Sequence, residues 1–457
     1  MKRIAALLLL AAWLLAAWPA AAAPASGWRG VMVLRGGQVL AEDNADRFFT
    51  PASVNKLYVA AAALELLGPG YRVETEVAAL GEIARGELAG DLVVRAAGDP
   101  SWNGRFLGGK APLDDLARQV AAAGVRRVKG RVRVDASRFP GRASPATRAI
   151  AELPLGYGAP TSGLAVDENT VKVEIAPGRD KGDGASVRFL GESYGLELRN
   201  EMTTVGRERD AKGTVEIQPV WEERRITLRG EYPLSEPSYQ LDLAVPDGEA
   251  HAGAAFKAAL ARAGVIVENR VEVSRQALPP GKRLGGVKSA TVAEMLVPML
   301  TESHNWYAEM VLRMIAANVG EGRSDDGLRL VREMLEQQAG VEKGAVFFDD
   351  ASGLSPFNLT TPRAVARLLE WSLGRPWKES FVRALATPGK GTLAAWPALP
   401  ASVAAKTGTV QNALGLAGYL SPNGASPTIF VVFWNQTPEN RGGLRRDIAA
   451  IVNRYGS

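Results

Sequence analysis

The chain has no cysteine. Disulfides, iron–sulfur clusters and thiolate zinc sites are therefore excluded. It has only two histidines, His251 and His304, far apart in sequence. That is too few for a multi-histidine metal site and leaves a Ser-His-Asp triad almost no candidate base. A serine nucleophile here would have to turn to lysine. Charge of one sign is also scarce, a net +5 on 457 residues, with Lys2 and Arg3 at the extreme N-terminus. The densest basic run, Arg126–Arg133, alternates Val with Arg or Lys in its latter part and reads as a half-solvated strand. A nucleic-acid binder clusters its basic residues on one face among aromatics, so no nucleic-acid partner is expected. The mild positive balance suits an anionic polymer.

Long apolar runs are limited to one. Ile4–Trp18 is almost pure Leu, Ala and Trp behind the basic pair, and Ala21-Ala22-Ala23 offers a small-residue cleavage site. Residues 1–23 therefore read as a signal peptide, and the mature protein as exported and periplasmic. The competing reading is an uncleaved anchor, because Ile4–Ala23 carries no charge over a length that could span a bilayer. With no second such run, membrane association is expected to be peripheral at most. The remainder, in a chain 46% hydrophobic and 23% charged, is ordinary globular protein of two or three domains.

Three textures follow one another. Trp28–Leu40 reads as two strands around Gly36-Gly37. Pro51 opens a helix through Leu67 that is apolar nearly all round, hence buried, and Gly68-Pro69-Gly70 stops it. From Tyr71 to about Gly285 short alternating runs dominate: Leu92–Ala96, Val128–Val134, Thr170–Ile175, Ser186–Leu190, Leu196–Asn200, Gly213–Gln218 and Arg225–Arg229. Helices at Pro112–Ala123 and Ala252–Ala263 interrupt them. After Ser289 helices return (Thr291–Leu300, Asn305–Asn318, Gly327–Gln338, Thr361–Leu373), with Thr361-Pro362 a cap followed by proline in the first turn. Strands Ala401–Thr409, Leu414–Leu420 and Thr428–Asn435 and a helix Arg441–Tyr455 close the chain. The last four suggest an antiparallel sheet with a helix on its face.

The chemistry concentrates in three short motifs. Ser53-Val54-Asn55-Lys56, the one S-x-x-K in the chain, stands at the start of the buried helix. Positions three apart share a helix face, so the hydroxyl and the amine can meet. Serine needs a base to lose its proton. Lysine serves only when neutral, and burial or a second cation lowers its pKa toward that state. Lys406-Thr407-Gly408-Thr409, the one K-[S/T]-G, lies on an apolar strand. It would bring a second cation, hydroxyls for a substrate carboxylate and, at Gly408, close approach of a ligand. Ser303-His304-Asn305 is weaker, since S-x-N recurs at Ser53, Ser101 and Ser421. Its place between two helical runs selects it. His304 reads as a helix-start residue with its ring in solvent.

Motifs in this order, S-x-x-K, S-x-N and K-T-G, mark three walls of one cleft in penicillin-recognising serine enzymes. The long separation of Lys56 from Ser303 adds to the match, as do Gly98-Asp99-Pro100-Ser101, Tyr157-Gly158-Ala159-Pro160, Asp167-Glu168-Asn169, Asp350-Ala351-Ser352-Gly353-Leu354-Ser355, Asn358-Leu359 with Thr361-Pro362, and Gly391-Thr392-Leu393. The chain resembles the low-molecular-mass class C penicillin-binding proteins, the D-alanyl-D-alanine carboxypeptidase/endopeptidase family. The resemblance implies an α+β fold of the penicillin-recognising serine acyltransferase type. An antiparallel sheet is flanked by helices, with a helical subdomain and β-rich domains inserted between the first and second motifs. The catalytic domain would be residues 28–70 and 286–457, and 71–285 an insert of two small domains.

The resemblance also implies roles: Ser53 as nucleophile, Lys56 as its base, Ser303 and Lys406 as a proton relay, and Asn305 on the substrate amide. Thr407 and Thr409 would bind the terminal carboxylate beside Gly408, with backbone N–H groups of Ser53 and Thr409 as oxyanion hole. The substrate would be the D-Ala-D-Ala end, or a D-amino-acid crosslink, of peptidoglycan stem peptides. β-Lactams would inhibit, and no metal or cofactor is needed. Thr147–Glu152 departs from the family's Trp-x-Trp-Asp-Asp type segment, and Glu152 falls where an aspartate would face the substrate's amino side chain. Two other functions share the motifs: a β-lactamase, against which the large insert and the lack of a Glu-x-x-Leu-Asn element argue, and a non-catalytic peptidoglycan-binding scaffold. Carboxypeptidase and endopeptidase activities, and the oligomeric state, stay open.

Overall fold

The computed structural model describes residues 27–106, 111–206, 213–437 and 441–456. The expected signal peptide, residues 1–23, lies outside them. A five-stranded antiparallel sheet is built from both ends of the chain: β1 (Trp28–Arg35), β2 (Gln38–Asp43), β3 (Val403–Val410), β4 (Ala413–Leu420) and β5 (Thr428–Asn435). Their spatial order is β3-β4-β5-β1-β2, so β3 is an edge. Side-chain alternation along β5 divides the two faces. Ile429, Val431 and Phe433 pack into one core, Phe430 and Val432 into another. The second core is closed by the C-terminal helix Arg441–Asn453 through Ile448 and Val452.

Helix α1 (Lys56–Leu66) lies on the first face. Its Ala-rich sequence is a strong helix former, and every residue from Lys56 to Leu64 is buried. Around it pack α2 (Val292–Thr301), α3 (Asn305–Val319), α4 (Ser324–Gln337), α5 (Pro362–Leu373) and α6 (Lys378–Ala384). Helix α2 starts on a capping box of Thr291 and Glu294. Helix α5 starts as its sequence suggested, with the Thr361 hydroxyl accepting the Ala364 N–H at 3.1 Å and proline following.

Between α1 and α2 the chain builds a seven-stranded sheet. Its main path runs Ile266–Val267, Arg127–Val128, Glu87–Arg95, Glu74–Ala84, Lys282–Lys288. Helices Pro112–Ala122 and Gly248–Arg262 share its core. Nested within are two three-stranded sheets around a separate core of Val173, Ile175, Ile226, Leu228 and Leu243. The run Val128–Val134 is two short strands rather than one. At Gly130 a Cβ would lie 2.4 Å from the Gly90 carbonyl oxygen, so the chain jogs where the backbones touch. Strands Glu74–Ala84 and Lys282–Lys288 carry no clear alternation. They are rich in Ala, Glu, Gly or Lys, poor strand formers, and pairing on a sheet decides their conformation.

Candidate active site

The turn that carries Ser53 is held from two sides. Ser53 sits in a 3-10 turn, Ala52–Asn55, leading straight into α1. Asn55 is fully buried and donates from Nδ2 to the Asp350 carbonyl at 2.8 Å. On the other side β3 passes so close that a Cβ on Gly408 would lie 2.4 Å from the Pro51 carbonyl oxygen. The close approach expected at Gly408 is therefore made by the protein's own Ser53 turn.

Lys56 is fully buried at the foot of this turn. Its Nζ lies 2.8 Å from Ser53 Oγ, 2.8 Å from Asn305 Oδ1 and 2.5 Å from the Ser352 carbonyl oxygen. The last two oxygens can only accept. They take the two hydrogens of a neutral amine and leave its lone pair facing the serine hydroxyl. Burial pushes the Lys56 amine down to about 7, against the opposing pull of Asp350 and Glu309, with Arg148 acting in the same sense as burial.

Lys406 is also fully buried. Its Nζ donates to Ser303 Oγ at 2.9 Å and to the Thr407 carbonyl at 2.7 Å. Burial, then the charge of Lys56, holds this amine well below the ordinary lysine range. Ser303 takes a left-handed backbone (φ 65°) in the loop between α2 and α3. Asn305 opens α3 and its Nδ2 reaches the Tyr157 carbonyl at 3.4 Å. Two hydrogen-bonded groups, Ser53–Lys56–Asn305 and Ser303–Lys406, thus lie side by side as a polar seam at the sheet edge, brought together by the Ser303–Asn305 loop.

The edge itself is directional. The N–H and C=O of Ala405 bridge outward to Ala386, away from β4. Two-residue alternation then turns the N–H groups of Thr407 and Thr409 off the same edge. Thr407 is buried and Thr409 half-buried. Glu152 is one link further out, in a short turn Ile150–Glu152 where its charge reaches Tyr157. It makes no direct contact with the seam.

Similarity to known proteins agrees with this geometry. The model of the D-Ala-D-Ala carboxypeptidase 3 (S13) family matches residues 20–455. A D-alanyl-D-alanine carboxypeptidase of Actinomadura sp. (strain R39) is 31% identical over 405 residues, covering 84% of this chain and 73% of the relative. The chain belongs to the S13 family. A second relative, D-alanyl-D-alanine carboxypeptidase DacB of Haemophilus influenzae, is 23% identical over 406 residues, 87% of this chain and 83% of its own length. The crystal structure of penicillin binding protein 4 from H. influenzae superposes with a TM-score of 0.85 at 22% identity, covering 95% of this chain and 97% of that one. The fold is therefore the α+β penicillin-binding fold with β-rich insertions.

Against that family background, several residues around the seam had no assigned part in the sequence reading. Asp350 organises the loop that offers the Ser352 carbonyl. It accepts from Ser352 Oγ at 2.9 Å, Gly353 N at 2.7 Å, Ser355 N at 3.1 Å and Asn358 Nδ2 at 2.8 Å. The Asp-x-Ser-Gly pattern is an Asx-turn signal that could have been read this way. Glu309, buried on α3, accepts the Ser352 N–H at 3.0 Å. Burial and then the Asp350 charge push its carboxyl up to about 7, opposed by Arg148.

His304 is a correction. Its ring is mostly buried rather than in solvent, with Nε2 2.8 Å from Glu168 Oε2. Glu168 Oε1 also accepts from Arg105 Nε at 2.7 Å and Tyr307 OH at 3.0 Å. These partners overcome burial and hold the Glu168 carboxyl down to about 2. Asp167, Glu168 and Asn169 all have positive φ (48°, 60° and 56°). Glu168, the middle of this left-handed run, thus clamps the S-x-N loop through His304. The clamp faces a groove of about 1140 Å³ that runs from Ser303 and Asn305 past Tyr157 to Tyr239 and His251.

Proposed function

We propose that this chain is a serine DD-peptidase of peptidoglycan, acting on stem peptides ending in D-Ala-D-Ala through an acyl-enzyme. The observation that carries the reading is the meeting of the three motifs: Lys56 Nζ within 2.8 Å of both Ser53 Oγ and Asn305 Oδ1, and Lys406 Nζ 2.9 Å from Ser303 Oγ. Neutral Lys56 takes the Ser53 proton as Oγ attacks the penultimate carbonyl carbon. The developing oxyanion is held by the N–H groups of Ser53 and Thr409, a large contribution in such reactions. The proton taken by Lys56 is relayed through Ser303 and Lys406 to the leaving nitrogen, the C–N bond breaks and D-Ala departs as the amine. Asn305 holds the substrate amide, and Thr407 and Thr409 its carboxylate. The substrate lies along the open edge of β3 as an added strand. Water then hydrolyses the Ser53 ester.

A β-lactam acylates the same serine. H. influenzae penicillin binding protein 4 has been captured with a novel β-lactam, in a structure that superposes with a TM-score of 0.79. Glu152 contributes to the choice of substrate side chain. Residues 28–70 and 286–457 are the catalytic domain, and 71–285 two small inserted domains, a division supported by two apolar cores built within 71–285, while Val73, Ala97, Phe106, Ala159, Ala165 and Ala244 of that region join the catalytic core. Among the described residues no helix is long and apolar enough to cross a membrane. Residues 1–23 direct export to the periplasm.

The test is labelling with a fluorescent penicillin, digestion and mass analysis, with purified muropeptides digested in parallel. Label on the Ser53 peptide with release of D-Ala, or conversion of crosslinked dimers to monomers, is expected. Absence of label on Ser53 overturns the reading, and rapid nitrocefin turnover would assign a β-lactamase instead.

A further inference from the structure

Around Lys56 the molecule buries four charges on four different segments. From its own turn Lys56 meets Ser53, from α3 Asn305 and Glu309, from the loop after α4 Asp350 and the Ser352 carbonyl, and from β3 Lys406. The fourth charge comes from the inserted region. Arg148 projects from the loop between strands Val132–Asp135 and Thr170–Ala176, and its Nη2 lies 3.5 Å from Glu309 Oε1 and 3.5 Å from Asp350 Oδ2. Its side chain is 4% exposed, Glu309's 7% and Asp350's 1%. Arg148 Nε and Nη1 are buried with no hydrogen-bond partner. The neighbouring Thr147 hydroxyl donates to Asp349 Oδ2, fastening the same loop to the catalytic domain.

A guanidinium placed this way is expensive. Two of its three nitrogens go unsatisfied and its ion pairs are long, so stability alone gives little reason for it. Electrostatics gives one. Two buried carboxylates beside Lys56 would hold it as an ammonium, which cannot accept the serine proton. We infer that Arg148 is a positioning residue for the acylation base, cancelling one carboxylate charge so that Lys56 stands as a neutral amine. The inserted region thereby sets the chemistry of a lysine it does not carry. With Arg148 present, one negative charge remains on the carboxylate pair, and a single proton is shared between Lys56 and Glu309. Without it, the uncompensated Asp350 charge retains that proton on Lys56.

The inference rests on the acyl-enzyme reading above. The experiment is the pH dependence of Ser53 acylation by a fluorescent penicillin in wild type, R148M, R148K, E309Q and R148M/E309Q. In R148M the rising limb moves up by about one pH unit or more, about a tenfold loss at pH values below the limb. The high-pH plateau stays within about threefold of wild type. E309Q moves the limb the other way, and the double variant brings it back toward wild type. R148K, keeping the charge, shifts it less than R148M. A uniform loss at all pH values with the limb unmoved assigns Arg148 a structural role and overturns the inference. Should R148M fail to fold, an unmoved limb in E309Q overturns it equally. Wild type that takes no label on Ser53 would instead refute the acyl-enzyme reading.

Discussion

Replacing Gly408 with alanine tests whether β3 and the nucleophile turn are as closely seated as the geometry requires. The added methyl would meet the Pro51 carbonyl oxygen at 2.4 Å, Val54 Cγ2 at 3.2 Å and the Ala52 methyl at 3.3 Å. The first contact is with backbone, which cannot rotate away. Restoring even a 3.0 Å separation moves strand and turn apart by about 0.6 Å. Ser53 rides on that turn, two residues from Pro51 and one from Ala52, itself held at φ 48°. A displacement approaching 1 Å at a reacting atom costs about 10²-fold in rate, equivalent to about 2.7 kcal/mol of barrier. Overpacking of this size destabilises a fold by about 1–3 kcal/mol, so the protein should still fold. The assay is the second-order rate of acylation by a fluorescent penicillin beside a thermal melt. The expected result is an acylation rate down by about 10²-fold with a modest fall in Tm. Acylation within threefold of wild type in a folded G408A protein would refute the claim that β3 sets the position of Ser53.

Other outcomes follow from the same coordinates. Wild-type acylation should rise with pH through a limb near 7 and level off above it, because Lys56, pushed down to about 7, is a base only when deprotonated; a limb above pH 9, read by stopped-flow labelling, would contradict its burial. Ser53→Ala should lose at least about 10⁴-fold of D-Ala release while remaining folded by circular dichroism. Asp350→Ala should destabilise by about 3–5 kcal/mol in chemical denaturation, because it leaves buried Arg148 with one acid fewer and strips partners from the Gly353 and Ser355 N–H groups. Glu168→Gln keeps the shape of the clamp but removes its charge; acylation should fall about tenfold through a loosened Ser303 loop, and an unchanged rate would deny that loop any need of the clamp.

Part of this was legible in the residues alone. The absence of cysteine, the paucity of histidine and the spacing of Ser53-x-x-Lys56 leave a lysine-assisted serine as the natural chemistry, because composition bounds which side chains can carry a proton. Helix α1 was readable from its unbroken apolar run and Gly-Pro-Gly stop, and the last three strands and closing helix from their periodicity. These signals are local, and the physics that produces them acts over a few residues. Strand Glu74–Ala84 was not readable, since Ala and Glu take strand conformation there only because Lys282–Lys288 pairs along one side and Glu87–Arg95 along the other.

What the amino-acid order determined by itself was the inventory: which serine and lysines are candidates for the chemistry, and which helices and closing strands form. Tertiary structure alone decided the electrostatics. Arg148, Glu309 and Asp350 lie far apart in sequence yet surround Lys56, and His304 turns from solvent to Glu168 because the inserted region folds back over α3. Charge–charge and desolvation energies depend on distance and burial through space, and neither is encoded in the spacing of residues along a chain.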